Sequence, residues 1–166
     1  MATIADKTAA TLALAKGIAT ALFWSLDIEE PEINRLDIKQ VPVQELINIV
    51  TVLRVQRIGY LSAITGLDPG SGEEPLEVLY HFCAGQAVIT LRVPVPRNAP
   101  EVPTLSAIIP VAESFERELQ EMFGIIVSGL SAPEYLHLPD EWPGDVYPLR
   151  KEFDPALVRT SVAGGI

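Results

Sequence analysis

The sequence is poor in the residues that hold metals. Its 166 residues include one cysteine and two histidines. A structural zinc site takes four nitrogen or sulfur ligands, and an iron–sulfur cluster usually takes four thiolates, so the chain alone supplies neither site. The single cysteine, Cys83, excludes an internal disulfide, and a reducing, cytoplasmic compartment is the simpler expectation.

Basic residues are also scarce. The chain has 12 lysines and arginines against 22 aspartates and glutamates, which gives a formal net charge of -10. This charge repels phosphate backbones and anionic lipid surfaces. We therefore expect no nucleic-acid partner and no direct attraction to an anionic membrane.

No hydrophobic run is long enough for a membrane span. The longest weakly polar stretch, residues 8–24, is interrupted by Lys16 and Gly17 and is shorter than the roughly 20 residues required. Its apolar residues recur at helical spacing, which favours a plain amphipathic helix over a signal peptide. They are Leu12, Ala15, Ile18, Ala19, Leu22 and Phe23. Any contact with a membrane is expected to pass through partner proteins.

Nucleotide loops and catalytic groups are equally hard to find. The glycine-rich segment GLDPGSGEEP, residues 66–75, lacks the lysine of a P-loop and carries Glu73 and Glu74 where phosphates would bind. There is no GxGxxG motif for a dinucleotide. His81 and Cys83 share one face of a predicted strand, the arrangement that a base and a nucleophile would need in a small independent enzyme. The alternative is an inert thiol on a packed strand face.

The sequence predicts one α+β domain. Its length suits a single core, and its hydrophobic periodicity predicts helices and strands in mixed order. Helices are expected over 8–24, 41–56 and 110–123, the last ended by Gly124, and strands over 33–41, 60–66, 76–83 and 86–95, with an Ala84-Gly85 hairpin turn. We expect a mixed or antiparallel sheet with helices packed on one face and an extended C-terminal arm. The predicted segments are an N-terminal helix (1–30), a core domain (31–127) and a docking arm (128–166).

The segment ERELQEMFGI, residues 116–125, is the most charged part of the last predicted helix. Its helical wheel has an apolar face (Phe115, Leu119, Met122 and Phe123) and an opposite face (Glu113, Arg117 and Glu121) that predicts two ion pairs. Glu116 and Glu118 flank the apolar stripe on opposite sides. Because they point in different directions, they cannot act together as an acid and a base.

The predicted arm combines aromatic and basic residues. Trp142 and Tyr147 precede the run PLRKEF, residues 148–153, which contains Arg150 and Lys151. This chemistry is typical of protein interface anchors. Alternatively, the rings cover the core of their own domain. Residue types alone leave both interpretations open.

Two separated motifs in the same order indicate a family. The helix ERELQEMFGI followed by LPDEWPGDVYPLRKEF resembles the 30 kDa subunit of respiratory complex I, the NADH-quinone oxidoreductase. The segments DIKQVPVQEL, LEVLYHF and ITLRVPVPR are similar as well, so the resemblance covers roughly residues 34–154. Glu121 stands where the family usually has aspartate, and the family's histidine and arginines after the helix are replaced by GLSAPEYLH. The form WPxxVYPLRK resembles the branch in energy-converting nickel–iron hydrogenases and formate hydrogenlyase.

The resemblance implies a subunit without its own cofactor or active site. It implies docking against a large catalytic subunit and a neighbouring iron–sulfur subunit, peripherally on the cytoplasmic face of the membrane, with iron–sulfur, nickel–iron or quinone groups in those partners. The implied partner-interface residues are Glu116, Arg117, Glu118, Trp142, Tyr147, Arg150 and Lys151. Arg117 is also expected to pair within its own helix, while Glu116 and Glu118 are expected to meet basic groups of a partner. An independent scaffold is the remaining alternative.

Overall fold

In the residues that the structure describes, five strands form a mixed sheet. The structure is a computed structural model and describes residues 3–22, 27–70, 72, 74–130, 136–156 and 158. The strands are β1 (Asp27–Glu29), β2 (Arg35–Lys39), β3 (Tyr60–Leu67), β4 (Leu76–Ala84) and β5 (Ala87–Val95). They lie in the order β1-β2-β5-β4-β3. Strands β2 and β5 run parallel, and the other neighbours are antiparallel. The predicted mixed sheet is confirmed.

The sheet has one apolar buried face and one more polar face. Phe82 lies opposite Ile89, and Tyr80 lies opposite Leu91 across the β4–β5 ladder. All four are buried. Successive strand residues point to opposite faces, so His81 belongs to the other face, where it is half-buried.

Three described helices cover the apolar face: α1 (Ile4–Leu22), α2 (Leu46–Val55) and α3 (Ala112–Phe123). A short 3-10 turn, Val43–Glu45, precedes α2. Buried side chains of all three helices join those of the strands in one core; they include Ala15 and Ala19 from α1, Leu46, Ile49, Val50 and Leu53 from α2, and Leu119 and Phe123 from α3. The expected single α+β domain with helices on one face is confirmed, whereas its division at residues 30 and 127 stays a prediction.

Some predicted segments reach beyond the described residues. Phe23 and Trp24, at the end of the first predicted helix, lie outside them, as do Glu73 of the glycine-rich segment and residues 159–166 of the arm. The described part of the first helix, Ile4–Leu22, begins four residues earlier than predicted.

The hairpin turn lies one residue further along than predicted. Ala84 pairs with Ala87, so Gly85 and Gln86 form the turn. Gly85 has φ +63°, a left-handed conformation that favours glycine, at the first of the two turn positions. The predicted turn would have placed Ala84 at this first position, where a left-handed φ is unfavourable for a residue that has a side chain.

Two short strands that periodicity did not predict frame α3. Strands β6 (Glu101–Pro103) and β7 (Ile126–Ser128) pair in parallel. The pairing continues beyond them, where the N–H of Thr104 donates to the carbonyl of Ser128 at 2.9 Å. Three residues are too few to reveal an alternating pattern. This small sheet brings the segments before and after α3 together.

Candidate docking site

Helix α3 packs one side against the edge strand of the main sheet. Leu119 and Phe123 are buried there, as the helical wheel predicts. Gly66 of β3 makes the close approach possible, because a Cβ at this position would overlap the ring of Phe123. The helix ends at Gly124, which has φ +63° and confirms the predicted C-terminal cap.

Glu116 lies in the interior rather than beside the apolar stripe. Its side chain is 1% exposed. One carboxylate oxygen accepts the N–H of Leu105 and the other accepts the hydroxyl of Thr104, both at 2.6 Å. Burial raises the pKa of Glu116, although these two hydrogen bonds oppose the increase. The expectation that Glu116 faces a partner's basic groups is therefore corrected, since the preceding loop already occupies its carboxylate.

The opposite side of α3 forms one of its two predicted ion pairs. Arg117 contacts Glu113 at 2.9 Å, one helical turn away. Glu121 is 8% exposed and instead accepts the backbone N–H groups of Leu136 and His137, the latter at 2.9 Å. The wheel placed Glu121 on a solvated face because it could not show that a distant segment covers this position.

The arm contacts the C-terminal end of α3. Arg150 donates from Nε to the carbonyl of Phe123 at 2.7 Å, and the N–H of Leu149 donates to the carbonyl of Met122 at 3.1 Å. The last carbonyls of a helix have no partner within it and carry a partial negative charge, so a guanidinium stabilises them. Residues 149 and 150 thus act as a cap supplied from outside the helix.

Tyr147 packs directly over the glycine that ends α3. A Cβ on Gly124 would overlap the Tyr147 ring. The guanidinium of Arg150 lies 5.0 Å from the centre of the same ring, a cation–π contact. Because Gly124 has no side chain, it can adopt the left-handed conformation that ends the helix and leave room for the Tyr147 ring.

Asp68 ties the arm to the loop that follows β3. Asp68 is 4% exposed. It pairs with the guanidinium of Arg97 and accepts the N–H of Lys151 at 2.8 Å. Arg97 also contacts Glu152 at 3.1 Å. Burial would raise the pKa of Asp68, but the hydrogen bonds from Arg97, Lys151 and Gly70, with the charge of Arg97, lower it to about 2.

Trp142 is held within the arm. Its ring stacks on Phe153 with the centroids 6.3 Å apart, and Nε1 donates to the carbonyl of Val146 at 2.7 Å. These two contacts hold residues 142–153 of the arm together. A cavity of about 250 Å³ lies between α3 and the arm, and its lining includes Arg117, Gln120, Ile126, Trp142 and Tyr147.

The predicted interface residues thus divide into three groups. Arg117, Trp142 and Tyr147 line the cavity, while Glu118 and Lys151 are exposed. Glu116 and Arg150 are engaged inside the chain. Sequence reasoning did not single out Asp68 or Arg97, and it named Glu121 only as a charge on the opposite face of the helix. The signal for Asp68 and Arg97 was present only as two opposite charges 29 residues apart, which a sequence does not pair.

His81 and Cys83 lie on the more polar face of the sheet, away from this surface. Nδ1 of His81 is 3.2 Å from the hydroxyl of Thr90 on the neighbouring strand. Burial lowers the pKa of His81, while Asp37 opposes and Arg35 adds to the decrease. In the described part of the chain, no three His, Cys, Asp or Glu side chains are placed to hold a metal ion. None of the described helices combines the length and apolar character that a membrane crossing requires.

Two relatives share much of the chain. It is 36% identical to formate hydrogenlyase subunit 5 of Escherichia coli (strain K12) over 68% of its own length, which is 20% of that protein. It is 37% identical to a NADH-quinone oxidoreductase subunit of Roseiflexus sp. (strain RS-1) over 58% of its length, which is 55% of that protein. The chain therefore spans from a fifth to about half of these relatives.

Solved structures share the fold. A trypsin-resistant fragment of Nqo5 has a TM-score of 0.64 at 24% identity, covering 74% of this chain and 98% of that one. A chain of the membrane-bound sulfane sulfur reductase, an archaeal respiratory membrane complex, has a TM-score of 0.65 at 22% identity, covering 91% and 90%. The family model for the respiratory-chain NADH dehydrogenase 30 kDa subunit matches residues 39–157. Because this match extends over most of the chain and includes α3 and the arm as far as residue 157, the protein belongs to that family.

Proposed function

We propose that the chain is a non-catalytic docking subunit of a complex I-like membrane oxidoreductase, of either the NADH-quinone oxidoreductase or the energy-converting hydrogenase type. It docks against the large catalytic subunit through a composite surface formed by α3 and residues 136–153 of the arm. The observation that carries this proposal is the attachment of the arm to the end of α3, where Arg150 and Leu149 bind the last helix carbonyls.

The arm is attached at three separate places. Glu121 accepts backbone N–H groups at its beginning, the end of α3 accepts Arg150, and Asp68 accepts the N–H of Lys151. A segment that is already ordered loses less conformational entropy when a partner binds. Pre-ordering an otherwise irregular segment is therefore useful for a recognition surface.

The composite surface offers apolar and charged contacts. Its cavity is lined by Trp142 and Tyr147 and has the volume to receive an apolar side chain of the partner. Leu149 and Ile126 are 52% and 57% exposed. Large aromatic residues around such a cavity are typical of the centre of an interface, and the exposed Glu118 suits its polar rim.

The lengths of the relatives support docking against a larger polypeptide. In formate hydrogenlyase subunit 5 of Escherichia coli, the matched region is 20% of one longer protein. Covalent connection keeps two modules at a high effective concentration. A module that is joined to a larger chain in one relative and separate in another is suited to non-covalent docking in the second case.

The partners would hold the redox groups in this proposal. Iron–sulfur clusters, nickel–iron centres or quinone would belong to the large subunit and a neighbouring iron–sulfur subunit. The chain would lie on the cytoplasmic face and reach the membrane only through these partners. Its net charge of -10 supports indirect attachment, because anionic lipids repel it.

Affinity purification from the native host under mild conditions tests the proposal. We expect a large nickel–iron or quinone-type subunit to copurify in a fixed ratio, and the isolated chain to be colourless. Recovery of the chain alone at native abundance would overturn docking, and a stoichiometric metal in the isolated chain would overturn the absence of a cofactor.

A pair of variants locates the surface. Trp142→Ala removes an aromatic wall of the cavity and should reduce copurification by about tenfold. Thr20→Ala, at an exposed position of α1, serves as the control and should leave it unchanged. Equal recovery with both variants, at unchanged thermal stability, would place the interface elsewhere.

A further inference from the structure

The two edges of the main sheet differ in how well they are protected. Strand β1 forms one edge with three residues, of which Asp27 and Glu29 are charged and exposed. Strand β3 forms the other edge with eight residues, Tyr60–Leu67, none of them charged and none proline. Natural proteins usually protect exposed edges by short length, charge, proline or bulges. Strand β1 is both short and charged, whereas β3 is neither.

The edge of β3 is open to pairing along most of its length. Its register with β4 shifts once, at an irregularity of the β-bulge kind between Leu61 and Ala63, so the protection that a bulge gives is limited to the start of the strand; the register is regular over 63–67. In an antiparallel strand, alternate residues direct both N–H and C=O away from the neighbour. Among the described residues, no backbone hydrogen bond reaches β3 from its outer side.

Two cavities lie beside this edge on the helix-bearing face. One of about 420 Å³ lies near the start of β3, against Tyr60 and Leu61, and is also bounded by Val111. The other, of about 260 Å³, lies near the end of β3, against Ile64 and Gly66. Tyr60 and Val111 are 65% and 54% exposed. Aligned cavities beside an open edge are what alternate side chains of an added strand require.

Each cavity has a single charged residue in its lining, and the two have opposite signs. Arg54 borders the cavity at the start of β3, and Glu118 borders the one at its end. A strand complementary to this surface is uncharged at its centre, acidic at the end near Arg54 and basic at the end near Glu118. This pattern gives the added strand one preferred direction.

We propose that an extended strand of a partner polypeptide pairs with the outer edge of β3 and inserts two apolar side chains, roughly four residues apart, into these cavities. The inference rests on the proposed function, because it takes the partner from the assembled complex. It adds a second contact surface beyond the cavity between α3 and the arm, and the two surfaces share Glu118 and Leu149.

A second copy of this chain does not fit the same surface. If two β3 strands paired, the side chains of the second that face the helices, Leu61 and Ile64, would already be buried in their own core. They would leave the two cavities of the first copy unfilled. Association of two chains with a net charge of -10 each is also opposed by repulsion.

Hydrogen exchange measured by mass spectrometry on the free chain and on the purified complex tests the pairing. We expect backbone amides within Tyr60–Leu67 to exchange at least about tenfold more slowly in the complex, because new hydrogen bonds protect the outward-facing ones. Amides of the central β4–β5 hairpin are the internal control, since they are paired in both states. Equal exchange of β3 in both states would overturn the inference.

Substitution and cross-linking identify the occupant. Thr65→Lys places a charge on the exposed edge and should lower the yield of complex by about tenfold, whereas Thr20→Lys on α1 should not. A photoreactive p-benzoylphenylalanine at position 65 should cross-link to an extended segment of a partner subunit with apolar residues about four apart. A cross-link to a second copy of the chain, or full assembly of Thr65→Lys, would overturn the proposal. A chain that purifies alone overturns both proposals, whereas assembly without β3 protection overturns only this one.

Discussion

Carboxylates on α3 and carboxylates on the polar face of the sheet perform different tasks. On α3, Glu116 and Glu121 are buried, and both oxygens of each accept hydrogen bonds from other segments of the chain. On the sheet, Glu77 pairs with Arg92 at 2.7 Å between neighbouring strands. The carboxylates on α3 hold irregular segments in place. The carboxylate on the sheet adds an ion pair to strands that backbone hydrogen bonds already hold together.

The polar face of the sheet is also less completely paired. Asp37 has one carboxylate oxygen that is buried without a hydrogen-bond partner, and Arg35 has such a nitrogen at Nε. Buried polar atoms are costly when they are unpaired. The buried carboxylates are therefore most completely hydrogen-bonded where α3 contacts residues 104–105 and 136–137.

The largest expected effect in this comparison comes from Glu116→Ala. The change leaves the buried N–H of Leu105 without an acceptor and removes one of the two acceptors near the Thr104 hydroxyl, the other being Ser106, and should lower the free energy of unfolding by about 3 kcal/mol. Glu116→Gln retains one acceptor and avoids burying a charge, so its loss should be below about 1 kcal/mol. Urea denaturation measures both. Equal stability of the alanine variant and the wild type would contradict the role of this carboxylate.

Acidification should weaken the Asp68 attachment next. The pKa of Asp68 is about 2 in the folded state against 3.8 ordinarily. A lowered pKa stabilises the fold above the unfolded value, so this contribution is complete above about pH 4 and is lost as the pH falls through 2. Asp68→Asn should cost about 2 kcal/mol at pH 6 and progressively less below pH 4. Thermal unfolding across this range measures it, and a pH-independent difference between the two proteins would contradict it.

Gly124→Ala should loosen the arm with a smaller loss of stability. The left-handed φ costs a non-glycine residue about 1 kcal/mol, and the new Cβ displaces the ring of Tyr147. Trypsin should then cleave faster after Arg150 or Lys151. Gly144→Ala in the same arm is the matched control, since a Cβ there has no neighbour within 4 Å. Equal cleavage rates in the two variants would show that Tyr147 does not hold the arm.

The smallest effect is expected on the sheet. Glu77→Gln removes a pair whose side chains are only partly buried, Arg92 being 25% and Glu77 21% exposed. Such pairs contribute about 1 kcal/mol or less to the free energy of unfolding. Denaturation at low and high salt measures this contribution, which should also decrease with salt. A loss as large as that of Glu116→Ala would remove the distinction between the two groups of carboxylates.

Much of the fold was predictable because it depends on local periodicity. The helix over 110–123, its end at Gly124 and the long β4–β5 hairpin follow from apolar spacing and from glycine conformation. The three-residue strands did not follow, because they are formed by pairing between distant segments. The hairpin turn differed by one residue because its first position has a left-handed φ, which Gly85 adopts more readily than Ala84 would.

The candidate site was predictable only in its composition. The helical wheel identified the charges of α3 correctly, and it predicted the Arg117–Glu113 pair that forms. It treated Glu116 and Glu121 as surface residues because a wheel contains no information about the segments that cover a helix. The same limit applies to Trp142 and Tyr147, which the structure places against their own chain while they also line a cavity.

The sequence by itself determined the longer helices and strands, the family resemblance and the shortage of metal ligands, because each depends on residue identity at short range. Tertiary structure alone decided that Asp68 meets Arg97 and Lys151, that Glu116 is buried, and that β3 is an open edge. These features arise only when segments that are far apart in the chain pack against one another. Burial then changes the free energy of a charge, and the same glutamate becomes a structural acceptor instead of a surface group.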